Sequence, residues 1–128
     1  MVKFIALMKR REGMSFEDFK NYYKSNHSQL RAALPTSTVP VQPKSKCIKT
    51  ERQFLMPMDH PIDNATAGRE ANRYDVVLEK WYETMEDLEE DMAFLGHKDV
   101  WPIYLEDENK LFDRRYSRCY VVEETVDR

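Results

Sequence analysis

Residues 14–34 read MSFEDFKNYYKSNHSQLRAAL, and the order of the rest of the chain follows from them. Ser15 precedes Asp18 by three positions, the arrangement of a helix N-cap with an acidic partner in the first turn. A carboxylate there suits the positive end of the helix dipole. Met14 and Phe19 lie at the spacing of a hydrophobic staple. Phe16, Phe19, Tyr23, Leu30 and Leu34 then recur at helical steps, so one apolar face is expected along the stretch. His27 falls in a gap of that stripe, four residues after Tyr23 and three before Leu30, and is expected to face whatever the helix packs on. Such a histidine is either a core residue bonded to a carbonyl or a tyrosine, or a general acid/base at a pocket wall. Histidine's ordinary pKa of about 6.5 suits proton transfer near neutrality.

Working outward, Val2–Lys9 is rich in β-branched and aromatic residues and reads as a first strand, apolar on both faces and therefore covered on both. The start MVKFIALMKRR ends in charges without a small-residue cleavage site, so it reads as a strand and not as a signal peptide. After Leu34, PTSTVPVQP holds three prolines and forms an extended connector. Lys44–Leu55 reads as a second, more polar strand suited to a sheet edge. Pro57–Arg73 is a long loop carrying His60, either exposed or folded over a pocket mouth. Tyr74–Tyr82 is a third strand.

Thr84 caps a second helix whose buried stripe is Met85, Leu88, Met92 and Leu95, its remaining acids facing water. Gly96 stops that helix, and His97 complements its C-terminal dipole. Trp101-Pro102 is expected to break the chain, with a short helical turn over Asp107–Phe112. Asp113 and Arg114, before a last strand Arg114–Glu124, read as a structural ion pair, with a clamp for a substrate carboxylate as the alternative.

The composition sets limits. With 128 residues, 41% of them hydrophobic and 34% charged, the chain suits one soluble domain spanning 1–128. A net charge of −3 gives no electrostatic basis for nucleic-acid binding. No apolar run approaches the roughly 20 residues of a membrane span. Cys47 and Cys119 lie far apart in no metal-like spacing, which suits a reduced, cytoplasmic protein. The histidines at 27, 60 and 97 lack the close spacing of a zinc site.

The order strand, helix, strand, strand, helix, strand is a ferredoxin-like βαββαβ plan in the α+β class, a four-stranded antiparallel sheet with two helices on one face. Its second face is apolar as well, so a second copy is expected there, sheet against sheet.

Two stretches carry a resemblance. FIALMKRREGMSFEDFKNYYKSNHSQL at the N-terminus, and VVLEKWY, ETMEDLEEDMAFL and DENKLFDRRYSRCYVVEE toward the C-terminus, resemble the EthD family of small dimeric α+β barrel proteins. The likeness covers about two thirds of the chain and leaves out roughly 35–73. It implies a homodimeric α/β barrel without metal, flavin or haem, and a role in breaking down or tailoring small organic molecules. Family members include fungal polyketide dehydratases and decarboxylases, and neighbouring families include polyketide cyclases and cofactor-free oxygenases of anthrone-like phenols. The family's helix histidine corresponds to His27. Members often carry proline two residues later, where this chain has Gln29.

Set beside the residue-level reading, these implications point to a largely apolar cleft between the first helix and the sheet. Phe19, Tyr22, Leu30, His60, Trp81 and Tyr82 are candidate substrate contacts, and His27 and Tyr23 are candidate catalytic groups. Strand alternation leaves open whether Val76, Leu78 and Tyr82 or Val77 and Trp81 face the helices. An imidazole with phenols can move protons and stabilise an enolate or phenolate. Three readings follow: a cofactor-free lyase or cyclase acting on an aromatic or polyketide-like molecule, an oxygenase of phenolic substrates, or a non-catalytic carrier or accessory protein.

Overall fold

The computed structural model describes residues 1–34, 44–58, 62 and 73–122. In chain order its elements are β1 (Val2–Met8), α1 (Phe16–Ser25), β2 (Lys49–Phe54), β3 (Val76–Tyr82), α2 (Met85–Leu95), α3 (Trp101–Leu111) and β4 (Arg118–Val122). The strands form one sheet in the order β2-β3-β1-β4, every neighbour antiparallel. This is an α+β, ferredoxin-like fold, with three α-helices among the described residues where the sequence suggested two. The polar β2 lies at an edge, as its composition implies.

The register aligns side chains into rows on the helix side. One row runs Thr50, Lys80, Phe4 and Val121; the next runs Arg52, Leu78, Ala6 and Cys119. Phe54, Val76 and Met8 make a third. Alternation then sends Val77 and Trp81 to the opposite face, which settles the facing of β3.

Gly13 makes the turn from β1 into α1 with φ of 83°, a left-handed conformation that costs other residues. Ser15 caps α1, its hydroxyl accepting from the Asp18 amide at 3.1 Å. Met14 packs into the same cluster as Phe19, which completes the staple. Phe19, fully buried, meets Phe54, Tyr23 and Phe112 edge-on at ring separations of 5.9–6.1 Å. These rings fill the third row of the sheet. A second cluster holds Leu34, Phe94 and Val100.

Three expectations need correcting. First, α1 stops at Ser25, and His27 sits in a 3-10 turn over His27–Gln29. Ser25 bonds the Asn21 carbonyl at 2.7 Å and Asn26 Oδ1 at 2.8 Å, so short polar side chains compete with the helix. Second, Trp101-Pro102 starts a helix instead of breaking the chain, because proline in a first turn has no amide whose bond is lost. Third, Asp91 does not face water; it is 3% exposed, while Met85 of the expected stripe is 43% exposed. No helix among the described residues is long and apolar enough to cross a membrane.

Candidate active site

Between the helices and the first two rows of the sheet lies a cavity of about 750 Å³. It exists because the floor is low: Ala6, Thr50 and Cys119 put short side chains on the sheet where Phe19 and Tyr23 fill the neighbouring row. Tyr23 and His27 line it from the α1 side, Trp101, Tyr104 and Glu108 from α3, and Leu78 and Lys80 from β3.

His27 is fixed from two sides. Its Nδ1 lies 2.7 Å from Asp107 Oδ2 on α3, both side chains being 13% exposed. Tyr22 donates its hydroxyl to the other oxygen, Asp107 Oδ1, at 2.5 Å. An ionised carboxylate only accepts, so Nδ1 donates to Asp107, and in the neutral imidazole the lone pair then lies on Nε2. Tyr23, Tyr104 and Phe112 hold the imidazole edge-on at 5.4, 6.2 and 5.4 Å. No partner for Nε2 occurs among the described residues.

The phenols around the cavity remain protonated. Burial raises Tyr104 to about 12, and burial with the Asp107 hydrogen bond and charge raises Tyr22 to about 12. Burial also raises Tyr23, against the lowering influence of Arg52. Glu108 is raised by burial, opposed by His27 and by Arg114, whose Nε stands 3.4 Å from its Oε1.

A second polar cluster supports the far end. Buried Asp91 accepts from Arg31 at 2.7 Å, from Tyr82 at 2.5 Å and from Ser45 at 3.1 Å. Burial alone would raise its carboxyl, but the bonds from Tyr82 and Arg31, with the charge of Lys80, hold it below the ordinary aspartate value. The Arg31 guanidinium also lies 4.1 Å from the Phe94 ring centroid.

The structure gathers some sequence candidates and separates others. His27 and Tyr23 line the cavity. Phe19 is packed beneath, Tyr22 acts through Asp107, and Tyr82 is buried on Asp91. Leu30 is half-buried outside the lining. Trp81 is not a cavity residue: it lies on the opposite face between Lys3 and Lys49, at 5.0 and 4.9 Å. His60 lies outside the described residues. His97 takes a local role, accepting from the Asp99 amide at 3.1 Å. Asp113 pairs with Arg115 at 2.7 Å, while Arg114 pairs with Glu108.

Sequence reasoning missed Asp107 because it missed α3. Tyr104, Asp107 and Leu111 are three and four residues apart, a helical stripe that would have placed the acid on an inward face. Among the described residues, no three His, Cys, Asp or Glu side chains gather as a metal site.

Fold and cavity together define a ferredoxin-like α+β domain with a cleft on the helix side of its sheet. The EthD domain matches residues 11–115, and the chain belongs to the EthD family. Solved structures with the same fold include an Arabidopsis thaliana protein, 16% identical with a TM-score of 0.59 over 100% of this chain and 99% of that one. An EthD family protein from Bacillus halodurans is 17% identical with a TM-score of 0.57, covering 98% and 99%. A dimeric, ferredoxin-like Bacteroides fragilis protein is 17% identical with a TM-score of 0.53, covering 96% and 95%. No curated protein matches the sequence.

Proposed function

We propose that the protein is a lyase or cyclase working without a cofactor on an aromatic or polyketide-like small molecule, with His27 as general base. The observation that carries this reading is the 2.7 Å Asp107–His27 contact at the wall of a cavity of about 750 Å³. Asp107 orients the imidazole and stabilises the imidazolium formed when Nε2 takes a proton from the carbon beside a substrate carbonyl. The C–H electron pair moves onto the carbonyl oxygen. The protonated phenols of Tyr23 or Tyr104 donate to that enolate. In dehydration the enolate then expels a β-hydroxyl, the imidazolium returns its proton, and water leaves. In cyclisation the same enolate attacks a second carbonyl of the substrate, and the imidazolium protonates the alkoxide formed. In decarboxylation the C–C electron pair left by departing carbon dioxide forms the enolate, and His27 in its imidazolium form protonates the carbon.

The molecule acts as a homodimer in this reading. The free sheet face presents Ile5, Leu7, Val77 and Trp81, with Tyr120 52% exposed beside them. The Bacteroides fragilis relative is a dimeric protein.

The test is turnover of a panel of phenolic acids and ketides by wild type and His27→Ala, with product mass recorded. Loss of water, loss of carbon dioxide or no mass change assigns the step. Product that gains oxygen would instead support an oxygenase. Tight binding with no turnover in wild type would support a carrier, and full activity in His27→Ala would refute the catalytic role.

A further inference from the structure

Among the described residues, the cavity lining carries more cations than ion-paired acids. Arg31 is matched by Asp91 at 2.7 Å and Arg114 by Glu108 at 3.4 Å. Lys80 and Arg52 also line the cavity, and among the described residues neither has an ion-pair partner. The register makes them neighbours: Arg52 pairs with Leu78, and Lys80 is two residues along the same strand with its side chain on the same face. Lys80 stands on β3, flanked by β2 and β1, and is half-buried in the cavity lining.

Building on the His27 reading, we propose that the ligand bears a carboxylate which sits against Lys80 Nζ, with Arg52 as the flanking cation. A partly desolvated ammonium gains from a nearby anion, and a ligand carboxylate supplies one. Burial lowers the Lys80 pKa, with Asp91 acting in the opposite sense, so an incoming carboxylate relieves part of that desolvation. The seat belongs to the sheet floor, whereas His27 belongs to the helix layer. The acid group is therefore a handle that aims a different carbon at Nε2. An ammonium that holds a carboxylate stabilises the starting acid more than departing neutral carbon dioxide. The retained-carboxylate reactions, dehydration or cyclisation, fit this site better than loss of that carboxyl.

Binding of 2-naphthoate and of its neutral counterpart 2-naphthamide, by calorimetry, tests the proposal without requiring turnover. A charge-assisted contact predicts that wild type prefers the acid by about 10-fold or more. Lys80→Met should bring the two probes within about 2-fold, while Lys80→Arg, which keeps the charge, should retain a preference. Equal affinities in wild type, an acid preference that survives Lys80→Met, or no binding of either probe would overturn the proposal. These outcomes are independent of the His27 reading, which is judged by turnover in His27→Ala and not by naphthoate affinity.

Discussion

Replacing Asp91 by alanine should be among the costliest single changes to stability. The side chain is 2% exposed and accepts from Arg31, Tyr82 and Ser45. Its removal takes a buried acceptor from Arg31 and from the Tyr82 phenol. Deleting one partner of a buried ion pair costs about 3–5 kcal/mol. Arg31 keeps a side-chain exposure of 24% and recovers some hydration, so the lower part of that range, about 3–4 kcal/mol, applies. For 128 residues, at about 2.1 cal/mol/K per residue, the unfolding entropy is about 0.27 kcal/mol/K. The expected fall in Tm is thus about 11–15 °C at pH 7, read by differential scanning calorimetry. The double variant Arg31→Met/Asp91→Ala should lose less than the sum of the singles, because the two side chains share one ion pair. The sign of the pH effect also follows. A carboxyl depressed by folding contributes fully above its unfolded value of about 3.9 and loses that contribution as pH falls through the lower folded value. The wild-type advantage over Asp91→Ala should therefore shrink below about pH 4. A Tm drop under about 4 °C at pH 7, or an advantage that grows in acid, would refute the reasoning.

Other expectations are more local. Asp107→Asn should leave His27 in place but exchange a charge-assisted bond for a neutral one; a loss of about 1–2 kcal/mol means kcat down roughly 5- to 30-fold with KM little changed, and an unaltered kcat in steady-state assays rules out the dyad. Ser15→Ala removes the α1 cap and should cost about 1 kcal/mol, or about 4 °C in Tm, with no change in ligand affinity. Trp81→Glu places a charge on the free sheet face and should shift sedimentation from dimer to monomer while 2-naphthoate binding persists; a monomeric wild type contradicts the dimer reading.

The sequence was most readable where a local rule had no competitor. Ser15 and Thr84 announced their helices, and β1 and β3 announced themselves by β-branched and aromatic content. His27 was conspicuous because it interrupts an apolar stripe. Its partner was invisible for the opposite reason: Asp107 sits in a charged run, EDENK, that looks solvated until Pro102 is recognised as a helix start. Asp91 was hidden likewise among five other acids in residues 83–90, since only long-range packing distinguishes a buried carboxylate from its neighbours. Trp81 failed as a site residue because strand alternation fixes two faces without saying which one the helices cover.

The two halves of the chain repeat one plan, yet α3 falls between α2 and β4, while among the described residues no equal-length helix occurs between α1 and β2. That added helix supplies Asp107, Tyr104, Glu108 and Trp101 to the site, while the repeated elements supply the floor and the imidazole. Within that helix the two roles fall on different residues: Trp101, Tyr104 and Glu108 line the cavity, so changes there are expected to alter what it accepts, whereas Leu111 is fully buried in the core and its loss would be felt by the fold.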